Sequence, residues 1–253
     1  MSKPLLALFV FLVAMGSVVA WIVVSQPAHE RAPVGQSNSD EKQRDAAVTE
    51  KSGKRDETPT PEKQAEIDYN AQSDANQRLA LIERVGAADW ARHDTPLLRK
   101  AILADGDERV QLAALAKSVA LAEKHSPKSI HEVVRAGLST ANPRVVQQSL
   151  REARKHPSAE LVPDLIEIAD SAAAHRFLAI DALAFTDDPK AKAKVIEWAG
   201  REDGDKIERI RAVALLSKVK CPESEALLAR LCGSSDEEVR KVAVEAYAAY
   251  CAK

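Results

Sequence analysis

The 253-residue chain carries 36 basic and 38 acidic side chains, so it has no strong positive field to recruit nucleic acid, and a DNA or RNA partner is disfavoured. Only 9 glycines and ten aromatic residues are present, which excludes a hairpin-rich all-β fold and points to an all-α class. The charges are unevenly placed. Residues 1–24 hold Lys3 alone, 25–75 hold 7 basic and 11 acidic residues, and 76–253 hold 28 and 27.

Leu5 to Val24 is an uncharged apolar run ending in Trp21-Ile-Val-Val. At about 1.5 Å per residue it matches the roughly 30 Å hydrocarbon core of a bilayer, and it has no polar face for a soluble core. The α-amine and Lys3 favour a cytoplasmic N-terminus, which predicts a single-pass anchor with the rest of the chain outside the cytoplasm. A cleaved signal peptide is the alternative, because Val18 and Ala20 stand where small residues precede a cut; the product would then be secreted or periplasmic. No cysteine follows the run, which excludes a lipoprotein-type anchor.

Residues 25–75 contain Pro27, Pro33, Pro59 and Pro61, many polar residues and one aromatic, Tyr69. Such a segment buries too little apolar surface to offset the entropy of ordering it, so a disordered linker is expected, with nascent helix from Glu62. As a coil, its ~50 residues reach on the order of 40 Å. The folded domain is expected over 76–253, with helix 76–92 as its N-terminal cap.

Prolines then recur at 96, 127, 157, 189 and 222, spaced by 31, 30, 32 and 33 residues. Each follows Ser, Thr, Asp, His or Cys, and Ser/Thr/Asp-Pro reads as an N-cap and first helical position. Apolar pairs follow: Ile102-Leu103, Val133-Val134, Leu165-Ile166, Val195-Ile196 and Leu227-Leu228. A second helix follows each first. Its slots are Val110, Val145, Leu178, Ile210 and Val239; four residues on, Ala114, Ser149, Ala182, Ala214 and Ala243; then Leu115, Leu150, Leu183, Leu215 and Val244. A branched residue, a small one and a leucine on one stripe predict a buried face with a close helix crossing at the small slot. Asp107, Asn142 and Asp236 stand three residues before that stripe and read as N-caps.

Asp236-Glu-Glu-Val239-Arg240-Lys-Val-Ala243-Val-Glu-Ala246 resembles the second helix of the HEAT-repeat family and its armadillo-related and bilin-lyase-like relatives. Glu160-Leu161-Val162-Pro163-Asp164-Leu165-Ile166 is similar to the family's proline-bearing first helix. The resemblance covers about 96–253. It implies a right-handed α-solenoid of about five HEAT-like hairpins, preceded by the membrane-targeting helix and the disordered linker. Tetratricopeptide repeats share the period, but their Trp/Gly/Tyr framework is missing.

One hairpin cannot bury its apolar face alone, and stacking produces an extended surface lined by second helices. Its candidate partner-binding residues are Gln111, Gln147, Gln148, Asp181, Arg211 and Lys241, although for each one taken singly a plain solvated face is the default reading. Asp181 stands out because the matching slots hold Ala113, Gln148, Val213 and Val242. The resemblance also implies that Arg109, Arg144, Arg209 and Arg240 tie adjacent repeats together through neighbouring acids.

No metal site is expected, since none of the histidines at 29, 93, 125, 131, 156 and 175 pairs with His or Cys at helical spacing. His125 and His156 end second helices, where a cation suits the dipole. No phosphate loop, nucleophile elbow or acid/base pair stands out, so neither catalysis nor a cofactor is expected. Cys221 and Cys251 flank the last hairpin on one side, which leaves two readings: a disulfide in an oxidising compartment, or three small buried thiols with Cys232. The function these residues point to is a membrane-anchored, extracytoplasmic scaffold for another protein or peptide. The alternatives are an enzyme or enzyme accessory of the glycosylase-like or bilin-lyase-like HEAT type, and a structural envelope spacer.

Overall fold

The computed structural model describes residues 61–86 and 96–252. All described residues belong to one compact unit within 56–253. The apolar run 5–24, most of the expected linker and residues 87–95 lie outside the described residues. No helix among the described residues is long and apolar enough to cross a membrane.

Twelve α-helices and two short 3-10 turns make up these residues. We number the helices α1 (Pro61–Ala71), α2 (Ala75–Arg84), α3 (Pro96–Ala104), α4 (Glu108–His125), α5 (Ile130–Leu138), α6 (Pro143–Lys155), α7 (Val162–Ser171), α8 (Arg176–Ala184), α9 (Pro189–Gly200), α10 (Lys206–Leu215), α11 (Pro222–Leu231) and α12 (Glu237–Cys251). From α3 onward they pair as five antiparallel hairpins. Second helices α4, α6, α8, α10 and α12 pack in series in one layer, and first helices line the other. The pair α1 and α2 stacks on the first hairpin, α1 against α3 and α2 against α4.

The helix starts follow local chemistry. Asp107, Asn142 and Asp236 cap α4, α6 and α12 through their side-chain oxygens, and Asp74, Asp188 and Asp205 do the same for α2, α9 and α10. Each such cap stabilises its helix by about 1 kcal/mol by satisfying orphan N–H groups. Pro96, Pro189 and Pro222 are first helical residues. Pro127 instead opens the 3-10 turn Pro127–Ser129 leading into α5. Pro157 precedes the turn Ala159–Leu161, and α7 then carries Pro163 in its first turn.

The core is built from small and branched aliphatic residues. Leu115, Leu150 and Leu183 are 0%, 1% and 0% exposed, and the small slot residues Ala114, Ser149 and Ala182 are fully buried. Burial of each leucine contributes roughly 2 kcal/mol over exposure. Three sequence expectations need correction. The expected linker boundary at 75 is too late, because α1 packs onto α3 and buries Tyr69 in the core. The expected cap helix 76–92 is the shorter α2, with residues beyond Gly86 outside the described set.

The register of α10 is the third. Ile210, Ala214 and Leu215 were expected inside, but Ala212, Val213 and Leu216 are the fully buried residues and Ala214 is exposed. The stripe sits two residues earlier than expected, which places Glu208 in the slot that Val110 and Val145 fill. A charge is tolerated there because Arg176 of α8 pairs with Glu208 at 3.1 Å, both side chains 20% exposed. In this register the counterpart of Asp181 is Arg211 rather than Val213. Leu103 and Val244 are also exposed where burial was expected.

Candidate functional site

A groove of about 440 Å³ opens on the second-helix layer between α6 and α8, lined by Leu150, Arg151, Arg154, Lys155, Leu178 and Asp181. The helix registers place these residues. The buried stripe of α6 aims Leu150 into the core, so the residues one and four further on, Arg151 and Arg154, lie at the surface beside it. On α8 the same logic puts Leu178 and Asp181 one turn apart, facing the groove.

Asp181 is only 8% exposed. Burial raises its carboxyl above the usual carboxylate range, and the charge of Arg154 only partly opposes this. Arg154 Nε lies 3.1 Å from Asp181 Oδ2, and the Arg154 guanidinium also sits 4.7 Å over the Phe185 ring. Lys155 pairs with the buried Glu152, which also accepts from Gln148 Nε2 at 2.7 Å. The groove therefore has an apolar floor, a cationic rim and one desolvated carboxylate.

The pKa direction sets a pH prediction for Asp181→Asn. A raised folded-state value means the folded chain keeps this proton to higher pH than the unfolded chain. The stability it contributes is full below the unfolded value of about 3.9 and is lost as pH rises through the folded value. Above that window, Asp181→Asn is expected to unfold at a temperature no lower than the wild type. Melting curves from pH 3 to 7 check this, and a variant clearly less stable only at pH 7 contradicts it.

The other expected face residues separate. Arg211 is exposed on α10 and covers the Phe177 ring of α8 at 4.7 Å. Lys241 is exposed on α12, and Gln147 and Gln148 are half-buried on α6. Gln111 is not a surface residue: it is 7% exposed, donates from Nε2 to the Ile102 carbonyl at 3.2 Å, and accepts from Asn142 Nδ2 at 2.8 Å. It couples the first two hairpins, because an amide one turn inside the helix start reaches the cap of the next repeat.

Ion pairs between repeats run along the same edge. Arg144 Nη1 meets Glu108 at 2.9 Å, Arg176 meets Glu208, and Lys206 reaches Asp236 and Glu238 at 3.0 and 2.6 Å. Of the four arginines the family resemblance singled out, Arg144 alone bridges repeats in these pairs. Arg109 turns back to its own cap residue Asp107, Arg209 lies 3.9 Å from Glu202 of its own hairpin, and Arg240 donates to the Ser234 carbonyl. His125 ends α4 and His156 follows α6, where His156 Nε2 lies 2.9 Å from Glu123 of the previous hairpin.

The Cys221–Cys251 disulfide is not formed; all three cysteines are free. The two helix ends do meet, but Tyr250 fills the gap, its hydroxyl donating to the Cys221 carbonyl at 3.2 Å while Lys220 sits 3.8 Å over its ring. The Cys251 thiol instead faces the Tyr247 hydroxyl one turn back. The residues missed in the sequence are Arg151, Arg154, Lys155 and the two phenylalanines beneath the arginines. The available signal was that Phe177 and Phe185 bracket α8 in a chain poor in aromatics.

No protein-family model matches the chain, and no curated protein matches it. Among solved structures, a designed armadillo repeat protein, YIII(Dq)4CqI, is similar over 74% of this chain and 98% of that chain, at 17% identity and a TM-score of 0.38. The architecture is carried by the twelve described helices themselves. Their stacked, capped hairpins form an all-α repeat array with the organisation of a HEAT/armadillo-like solenoid.

Proposed function

We propose that the chain is a non-catalytic scaffold that holds another protein or a peptide segment on its second-helix layer, tethered by residues 5–24 with the repeats outside the cytoplasm. The observation that supports this reading best is the α6–α8 groove. Its floor is apolar, its rim is cationic, and it keeps a buried carboxylate that costs folding energy. A site that holds an unfavourable charge on a repeat surface is better suited to recognition than to packing. The flanking Arg211 over Phe177 extends the same surface by one repeat, with a guanidinium and an aromatic side by side. The tether and its orientation rest on the uncharged run and Lys3.

Affinity capture of the full chain from its own cells, after cross-linking, tests this. The expected result is one specific protein, lost when Arg151→Glu and Arg211→Glu are combined. Both side chains are exposed, so the fold should survive, and a circular dichroism spectrum confirms that it does. An unchanged partner set in the charge-reversed variant would count against the surface, and the absence of any partner at normal expression would favour the spacer reading.

A further inference from the structure

The outer side of α12 carries an exposed apolar stripe, although an exposed array face is ordinarily polar. In α4 the positions five, nine and twelve residues after Val110 are Leu115, Val119 and Ala122, which are 0%, 6% and 0% exposed because the next hairpin covers them. The same positions after Val239 are Val244, Ala248 and Cys251, and all three are exposed, Val244 at 51%. With half-buried Tyr247 they form a stripe at i, i+3, i+4 and i+7 on α12. The positions five and eight after the slot are buried in every earlier repeat, as Leu115 and Ser118, Leu150 and Ala153, Leu183 and Thr186, and Val213 and Leu216. Val244 and Tyr247 therefore mark the surface a further hairpin covers inside the array; Ala248 and Cys251 extend it, and among the described residues nothing covers it.

We propose that this stripe is an interface with a second copy of the chain, formed by the two C-terminal hairpins packing face to face about a two-fold axis. The internal stack shows what the face accepts: helices of this chain, rich in Ala, Val and Leu, packed through small side chains. The opposite end of the described residues does not offer such a surface. The exposed side chains of α1 and α2 are mostly polar: Lys63, Gln64, Asp68, Asn70, Asn76, Gln77, Glu83 and Arg84, against Ile67, Ala71 and Ala80, of which Ile67 alone is large. A head-to-tail stack would press the apolar stripe onto that polar end, whereas a two-fold pairs apolar with apolar. Exposed Lys241 and Glu245 flank the stripe and Glu225 of α11 lies near Tyr247, so both signs of charge are present at its edge.

The test places a photo-cross-linking amino acid at position 244 of the full chain, in a mixture of isotopically heavy and light protein. The expected products join heavy to light chains, with the adduct on α12 of the other copy. Sedimentation should show a dimer whose dissociation constant rises at least about tenfold in Val244→Glu, a change of about 1.4 kcal/mol. Association through residues 5–24 is the same in both proteins, so the difference isolates the α12 face. A dimer that persists unchanged in Val244→Glu, adducts on α1 or α2, or only intrachain products would each overturn the proposal.

Discussion

Replacing Asp105 with Ala is expected to lower the unfolding free energy by on the order of 3 kcal/mol, with α1 and α2 releasing first. The Asp105 side chain is 2% exposed and holds three elements together. Arg78 of α2 grips it with two bonds, Nε to Oδ2 at 2.7 Å and Nη2 to Oδ1 at 3.0 Å. The Tyr69 hydroxyl of α1 donates to Oδ2, and the Asp107 backbone N–H donates to Oδ1 at 2.8 Å. Arg78 also donates to the carbonyls of Gln72 and Ser73, closing the turn between α1 and α2. Removing the carboxylate strands a guanidinium and a buried hydroxyl together, which is why the loss exceeds that of a single neutral hydrogen bond.

The same cluster carries a pH dependence. Burial alone would raise the Asp105 carboxyl, but the hydrogen bonds from Arg78 and Tyr69 hold it below the usual carboxylate range. A depressed folded-state value contributes stability that is present above the unfolded value of about 3.9 and disappears as pH falls through the folded value. Hydrogen exchange over α1 and α2 should therefore quicken in the wild type below about pH 4, and Asp105→Ala should show the fast exchange already at pH 7. Unchanged protection of α1 and α2 in the variant would show that the cluster does not fasten the N-terminal pair.

A second large effect is expected at Gly137. In α5 this residue faces Ser149 in the small slot of α6, with Leu115 of α4 behind it. A methyl group there would overlap the Ser149 hydroxyl and sit 3.1 Å from Ser149 Cβ and 3.2 Å from Leu115 Cδ1. Gly137→Ala should cost about 2–3 kcal/mol, because three helices have no room to part. Ser149→Ala removes the hydroxyl, which otherwise donates to the Val145 carbonyl at 2.9 Å, so the double variant should recover about 1 kcal/mol or more relative to additivity. Urea unfolding of the four proteins measures this. A Gly137→Ala protein as stable as the wild type would mean the crossing is looser than the geometry states.

Gly137 also shows which parts of the fold were legible. The small slot of the second helices predicted a close crossing, and Ser149 lies at one; the glycine opposite it belongs to no visible pattern, because its partner is 12 residues away on another helix. The Asp and Asn caps were readable because capping is local, fixed by one side chain and the next two or three N–H groups. Tyr69 was not. Alone among polar residues it read as linker, and only Asp105, 36 residues on, gives its ring a place in the core. Glu208 hid the register of α10 because a charge in an apolar slot breaks periodicity unless its partner Arg176, 32 residues back, is known. Asp181 was singled out by comparison with slots that included Val213, which the register of α10 replaces with Arg211; its partner Arg154 comes from the end of the preceding repeat, and the groove they share exists only once the hairpins stack.

The most direct test of the scaffold account is a map of photo-cross-links made in intact cells. A photoreactive amino acid would replace Arg151, Phe177 or Arg211 on the second-helix layer, or exposed Glu167 or Ala229 on first helices α7 and α11. The account predicts discrete adducts with one partner protein from the first three positions and none from the last two. Adducts of equal intensity from both layers, or from the first-helix layer alone, would contradict it.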